Sequence, residues 1–94
     1  MARLRADALE RLEPLLRQLR RVDALRERAP GTFTCRGAPL LHFHSLTTGL
    51  VADVKVDGRW QRYDLEAPAA RRRLVIDVRR IVTGDTTTLA GRPT

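Results

Sequence analysis

The sequence LHFH at residues 41–44 constrains the fold of this chain more than any other feature. Apolar and polar side chains alternate strictly there, and successive side chains of a β-strand point to opposite faces of a sheet. The alternation therefore predicts a half-buried strand with the imidazoles of His42 and His44 on one face. Further along, Asp57-Gly58 is a strong signal for a two-residue hairpin turn. Together the two features predict an antiparallel sheet.

The predicted turns fix the register of three successive strands. If residues 46–49 form a four-residue hairpin loop and residues 57–58 a two-residue turn, the predicted cross-strand pairs are Leu41 with Val54, His42 with Asp53, Phe43 with Ala52, His44 with Val51, Ser45 with Leu50, Lys55 with Trp60, Asp53 with Arg62, Ala52 with Tyr63 and Val51 with Asp64. One sheet face should pack against helices and carries Leu41, Phe43, Ala52, Val54 and Tyr63. The opposite face, hereafter the open face, is predicted to carry His42, His44, Leu40, Val51, Asp53, Lys55, Trp60, Arg62 and Asp64.

An amphipathic N-terminal helix is predicted because apolar residues recur every third or fourth position over residues 4–22. Pro14 falls on the outer side of the helical wheel, so the helix is expected to be kinked or broken near that residue. The sequence APG at residues 29–31 is expected to end the helical region. Residues 32–36 are then predicted to form the first of about four strands.

A second helix is predicted after Pro68, a residue that suits the first helical turn. The apolar residues between positions 74 and 82 occupy an arc of about 120° on a helical wheel, which predicts a packed face. Arginines flank this arc on both sides without forming one stripe. Asp77 is expected to pair with Arg73 or Arg80 along the helix.

These segments predict a single α+β domain over residues 1–84, since 94 residues leave room for one domain only. Its order is an N-terminal helix, an antiparallel meander and a C-terminal helix, with both helices on one sheet face. Residues 85–94 show no periodicity and are predicted to form a flexible C-terminal tail.

The formal net charge of +7 raises the question of a nucleic-acid partner. Of the 18 basic residues only Lys55 is a lysine, and such an arginine bias also arises from the coding composition of G+C-rich genomes. A sheet that binds single strands usually offers several aromatic rings, whereas Trp60 alone among the aromatic residues is assigned to the open face. Nucleic acid is therefore an alternative partner that the sequence does not favour.

The expected location is the cytoplasm, without a membrane partner. The N-terminal residues lack the apolar run of a signal peptide, and no stretch approaches the roughly 18 apolar residues of a membrane span. The single cysteine, Cys35, cannot form an internal disulfide, which fits a reducing compartment.

The two histidines are the place where chemistry could be concentrated. His42, His44 and Asp53 have the ligand types of a two-histidine, one-carboxylate site for a divalent metal, with Asp64 as an alternative carboxylate. The competing interpretation is a cross-strand polar ladder, in which Asp53 pairs with His42 on one side and with Arg62 on the other. The sequence favours the ladder, because a third histidine and a cysteine cluster are both missing.

The sequence favours a non-enzymatic protein over an enzyme. A hydrolytic site needs a nucleophile beside a base, but Ser45 is predicted on the face opposite His44 and Cys35 is assigned to the core. A general acid-base role for His42, oriented by Asp53, stays open without a recognisable pocket. The sequence also contains no Gly-rich phosphate loop and no dinucleotide fingerprint.

The LHFH sequence, followed by GLVADV at residues 49–54, resembles a group of short bacterial proteins, many of them uncharacterised, that carry an LHFH strand and then a G-x-x-ADV strand. The resemblance covers about residues 30–65 and implies helices on either side of the strands. A looser similarity is to small bacterial domains labelled luciferase-like, which place an HFH triplet ahead of an acidic strand. The resemblance marks His42, His44 and Asp53 as matching positions, and it implies neither an established activity nor light-producing chemistry.

These observations lead to one main hypothesis and two alternatives. The chain is expected to be a non-enzymatic binding or self-associating module that forms a homodimer through the open face, because helices cover only the other face. The predicted binding surface consists of Leu40, Val51, Lys55, Trp60, Arg62 and Asp64. The first alternative is a metal-binding protein or metal-dependent enzyme with His42 and His44 as ligands, and the second is a nucleic-acid-binding protein.

Overall fold

Two helices and six strands make up the part of the chain that the computed structural model describes, residues 4–84 and 92–93. In chain order they are α1 (Ala6–Arg20), β1 (Leu25–Ala29), β2 (Thr32–Cys35), β3 (Ala38–Leu46), β4 (Gly49–Val56), β5 (Arg59–Asp64), α2 (Pro68–Thr83) and β6 (Arg92–Pro93). Each strand is antiparallel to its neighbours, and the order across the sheet equals the order along the chain. The predicted α+β fold is confirmed, with five longer strands and the two-residue β6 in place of about four.

The strands β3, β4 and β5 pair in the predicted register, and every predicted cross-strand pair is present. At the turn between β4 and β5, Asp57 and Gly58 have φ angles of 51° and 78°. Positive φ at both central residues is what the favoured two-residue hairpin turn requires. The hairpin of β3 and β4 is tighter than predicted, because Leu46 already pairs with Gly49 and leaves two residues in the loop instead of four.

Both helices pack on one face of the sheet, and the predicted helix-covered face is confirmed. The core joins apolar residues of α1 and α2 to those of the strands, where full burial of one leucine such as Leu12 contributes roughly 1.5–3 kcal/mol. From the sheet this core includes the buried side chains of Phe33, Leu41, Phe43, Leu50, Ala52, Val54 and Tyr63.

The N-terminal helix α1 passes through Pro14 without a break. A proline inside a helix removes one backbone hydrogen bond, which leaves the carbonyl of Glu10 without its usual donor. Pro14 lies on the exposed side of α1, where that carbonyl can bond to solvent. The exposed position therefore explains why the helix tolerates the proline.

The helical region is shorter than predicted, because residues 25–29 form the edge strand β1 instead of a helical extension. Leu25 stands three residues after Val22 and continues the helical pattern of the sequence. In the structure it is instead a buried strand residue that pairs with Cys35. Gly31, with φ of 78°, turns the chain between β1 and β2. The proline and glycine at residues 30–31 thus mark a hairpin turn and not a helix end.

At the C-terminus, α2 ends at Gly84, whose φ of 89° is the left-handed conformation of a helix cap. The predicted flexible tail falls mostly outside the described residues. Within it, the backbone of Arg92–Pro93 forms β6 and pairs with Gln61 and Arg62, so this part of the tail extends the sheet. Among the described residues, no helix has the length and apolar character needed to span a bilayer.

Candidate functional site

The open face brings together side chains from β3, β4 and β5 whose positions follow from the register. One cross-strand row contains His42, Asp53 and Arg62, and it continues to Thr32 on β2. These residues occupy the positions that alternate with the core residues of the same strands, so the buried pattern of the other face places all of them on the open face.

Asp53 is the best anchored polar residue of the open face. Its side chain is 12% exposed, and Arg62 donates two parallel hydrogen bonds of 2.9 Å to it, from Nε to Oδ1 and from Nη2 to Oδ2. Such a two-bond fork fixes both planar groups against each other. The hydrogen bond to Asp53 also raises the pKa of the Arg62 guanidinium above its ordinary value.

The histidine that reaches Asp53 differs from the prediction. His42 faces Asp53 across the strands, as predicted, but it is His44 whose Nε2 lies 3.3 Å from Oδ2 of Asp53. The contact is diagonal, which long side chains and rings achieve across neighbouring strands. The predicted ladder is therefore present between Asp53 and Arg62 and shifts by two residues on its histidine side.

Three rings form a cluster on the open face, hereafter the ring cluster of His42, His44 and Trp60. The imidazoles of His42 and His44 are stacked, with centroids 6.1 Å apart and planes 16° apart. The His42 ring meets Trp60 edge to face, at a centroid distance of 5.1 Å and an angle of 84°. Lys55 places its Nζ 5.5 Å from the centroid of the Trp60 ring, within cation–π range.

Within the ring cluster, His42 is more readily neutral than a free histidine. Partial burial lowers the pKa of His42 below its ordinary value, and the neighbouring charge of His44 lowers it further. The carboxylate of Asp53 acts in the opposite direction without reversing the effect. His42 is therefore a neutral ring with donor and acceptor nitrogens at neutral pH.

The predicted surface residues do not all lie in reach of a partner. Lys55 and Trp60 are half-buried, while Arg62 and Asp64 are exposed. Val51 is only 6% exposed, so its side chain offers little surface to a partner.

The predicted position of Leu40 on the binding surface of the open face is wrong. It is 7% exposed and belongs to the core cluster. The pairing of β2 with β3 shifts between Phe33 and Thr34, which face Leu41 and Pro39, so Leu40 is the extra residue of a β-bulge. A bulge re-aims the side chain that it contains, and alternation along the sequence cannot reveal it.

The predicted metal ligands do not converge as they stand. A zinc ion lies about 2.0–2.1 Å from each histidine nitrogen, so two ligating rings must direct their nitrogens at one point. The rings of His42 and His44 are stacked in parallel instead, and Asp53 is held by Arg62. Over residues 4–84 and 92–93 no group of three or more potential ligands is arranged to hold an ion.

The two candidate nucleophiles lie away from the histidines. Ser45 is exposed and pairs with Leu50, on the side of β3 that alternates away from His44. Cys35 is partly buried against the core and pairs with Leu25. Neither is placed beside an imidazole of the open face.

One buried polar contact was missed by sequence reasoning. The sequence predicts only a pair of Asp77 with Arg73 or Arg80, but the side chain of Asp77 is fully buried and also accepts a 2.7 Å hydrogen bond from the hydroxyl of Tyr63. Arg73 also approaches it, with Nε 3.1 Å from Oδ1, as the sequence predicted. The available signal was Tyr63 itself, since a tyrosine on the covered face needs a partner for its hydroxyl.

No family model matches the chain, and neither the curated proteins nor the solved structures contain a match. The resemblance to short bacterial proteins with an LHFH strand therefore stays a prediction.

Proposed function

We propose that this protein is a non-enzymatic self-associating module, in which the open face of one chain packs against the open face of a second copy. The observation that carries the proposal is the order of charges and rings on a sheet face that no described helix covers. The proposal includes the cytoplasmic location expected from the lone Cys35.

The open face supports this proposal because it carries side chains that suit an interface which is partly buried and partly exposed to solvent. Trp60 and His42 are both partly exposed, and each combines an apolar ring with a polar nitrogen. Tryptophan in particular is enriched where protein surfaces meet. The fork of Arg62 on Asp53 holds the surface in one conformation before any partner arrives, which reduces the entropy lost on association.

The edges of the sheet are less suited to self-association than its face. The edge strand β1 has a register shift between Glu27 and Ala29, and it exposes Arg26 and Arg28. Bulges and charged side chains are devices that prevent edge-to-edge pairing. The far side of β5 is partly occupied by β6, which includes Pro93. Lateral addition of a second sheet is thus disfavoured at both edges.

The charges of the open face are arranged to complement a second copy. Lys55 lies at one end of the β4–β5 pair, Asp64 lies at the other end, and the neutralised pair of Asp53 and Arg62 lies between them. The two ends are four residues apart, about 13 Å. A twofold axis along the row of Asp53 and Arg62 would bring Lys55 of each copy near Asp64 of the other, as an isologous interface requires.

Charge reversal tests this arrangement. In sedimentation or light-scattering measurements between about 1 and 100 µM, we expect a dimer that dissociates on dilution. Lys55→Glu and Asp64→Lys should each weaken it at least about tenfold, because each creates two like-charge contacts per dimer. The double variant should restore dimerisation. Arg59→Glu, a reversal at an exposed residue on the other side of β5, is the matched control and should leave the dimer intact.

A strict monomer over this range, or a double variant no better than the single ones, would overturn the proposal. The metal alternative is tested separately by elemental analysis of protein purified without an affinity tag. One equivalent of a divalent metal that is lost in the variant His42→Gln would replace self-association with a metal site as the function of the open face.

A further inference from the structure

The excess positive charge of the chain is concentrated on α2. This helix carries five arginines and one aspartate, a net of +4 out of the formal +7 of the chain. In contrast, α1 carries three arginines and three acidic residues. The charge asymmetry therefore belongs to one element and not to the whole surface.

Two of the α2 arginines are used within the protein. Arg71 donates from Nε to the carbonyl oxygen of Leu65 at 2.6 Å and from Nη1 to that of Arg11 at 3.3 Å. Arg73 lies 3.1 Å from the buried carboxylate of Asp77. Because Asp77 points into the core, its charge does not compensate the outer face of the helix.

The outer face of α2 presents Arg72, Ile76 and Arg79, hereafter the basic face. Helical geometry places these three residues within about 60° of each other. Both arginines are exposed, and Ile76 between them is 43% exposed. Within the described part of the chain, no carboxylate lies within 4.0 Å of the guanidinium of Arg72 or Arg79.

We infer that the basic face of α2 binds the phosphodiester backbone of a nucleic acid. Arg72 and Arg79 are two helical turns apart, about 10.5 Å along the axis, so their side chains can reach separate phosphates of one strand. A guanidinium matches the geometry of a phosphate with two parallel hydrogen bonds. With one exposed apolar residue between the two arginines, the face offers charge and no pocket for reading bases, so the binding is independent of sequence.

A lipid surface fits the basic face less well than a nucleic acid does. Helices that lie on membranes insert a continuous apolar face into the lipid. The apolar residues of α2 point inward, where Leu74, Val75 and Val78 are buried, and Ile76 alone cannot replace them. The basic face also lies on the layer opposite the open face, so this inference does not depend on self-association.

The test measures binding of labelled oligonucleotides by fluorescence anisotropy. We expect the full chain to bind a 5′-labelled duplex of about 20 base pairs, with an affinity that falls steeply between about 50 and 200 mM salt. The variant Arg72→Gln/Arg79→Gln should bind at least about tenfold more weakly at the lower salt concentration. Its slope of log affinity against log salt should be shallower by about 1.8, the value for two lost phosphate contacts.

The matched control is Arg26→Gln/Arg59→Gln, which removes the same charge from two exposed arginines outside α2. The affinity of this variant for the duplex should fall by less than about threefold, because salt screens the attraction between the duplex and charges that do not contact it. Equal losses in the two variants would show a net-charge effect only and overturn the inference. Absence of binding at the lower salt concentration would overturn it as well, and so would binding to vesicles of anionic lipid in place of the duplex. Unchanged thermal unfolding of both variants excludes misfolding as the cause.

Discussion

The hydroxyl of Tyr63 on β5 donates a 2.7 Å hydrogen bond to the fully buried carboxylate of Asp77 on α2. The bond crosses from the sheet to the helix layer at the level of the core. A buried carboxylate is tolerated only when hydrogen bonds and a countercharge compensate its lost hydration, and Arg73 supplies the countercharge. This contact therefore links α2 directly to β5 through a buried hydrogen bond.

Removing the hydroxyl should destabilise the protein although the residue stays aromatic. We expect Tyr63→Phe to lower the free energy of unfolding by about 1–3 kcal/mol, since the substitution removes one donor from a buried charged acceptor. Chemical denaturation followed by circular dichroism measures the change. Combining it with Asp77→Ala, which removes the acceptor, closes a double-mutant cycle in which the two effects should not add. Additive losses would show that the contact contributes nothing of its own.

The fork between Arg62 and Asp53 makes a second prediction, for the open face. Arg62→Gln should lower the free energy of unfolding by about 1 kcal/mol, because Asp53 loses two charge-assisted bonds while its side chain is 12% exposed. The value is modest because the Arg62 side chain is 41% exposed to solvent. Denaturation at low and high salt measures the loss, which should shrink at high salt.

Arg59→Gln is the control for Arg62→Gln, since it removes an exposed arginine from the same strand. It should change the free energy of unfolding by less than about 0.5 kcal/mol. A loss as large as that of Arg62→Gln would mean that the charge of β5 matters and the fork does not.

The sheet was largely predictable from the sequence because its signals are local. Strict alternation at residues 41–44 and the Asp57-Gly58 turn fix both the faces and the register, and a slip of one residue would expose the whole core face. The edge strand β1 was not predictable in the same way. Leu25 continues the helical spacing, and pairing with β2 overrides it.

The site was less predictable than the fold, because side-chain contacts depend on more than backbone register. Register placed His42 opposite Asp53, but the diagonal reach of His44 decides which imidazole contacts the carboxylate. A bulge moved Leu40 from the open face into the core. Asp77 stands at the border of an apolar arc, where a helical wheel cannot separate a surface ion pair from a buried partner for Tyr63.

Gly49 at the start of β4 supports a third prediction. Its φ is 134°, and a Cβ at this position would lie 2.5 Å from Cγ and 2.9 Å from Oε2 of Glu66. Glu66 Oε2 also accepts a 2.8 Å hydrogen bond from the amide of Leu50, so the side chain cannot move aside without losing it. Gly49→Ala should therefore lower the free energy of unfolding by about 2 kcal/mol or more.

The variant Gly58→Ala is the comparison for Gly49→Ala, because it introduces backbone strain without a clash. Gly58 also has a positive φ, of 78°, but a Cβ there meets no atom within 4 Å. We expect it to cost about 1 kcal/mol from backbone strain alone. Thermal unfolding of both variants gives the comparison, and equal losses would contradict a role for Glu66. In a Glu66→Ala background, the part of the Gly49→Ala penalty that comes from the clash should disappear, and the backbone strain of φ 134° should remain.

The contact between His42 and Trp60 predicts a dependence on pH. Partial burial and the charge of His44 hold the pKa of His42 below its ordinary value of 6.5, so the unfolded chain binds a proton more readily than the folded protein. The stability that depends on neutral His42 is therefore fully present above pH 6.5. It is lost as the pH falls from 6.5 through the lower pKa of the folded protein. Because an imidazolium quenches a neighbouring indole, Trp60 fluorescence should decrease with a midpoint below pH 6.5. His44→Gln should move that midpoint upward, and His42→Gln should abolish the transition. A transition that survives His42→Gln would assign the quenching to another group and refute the contact.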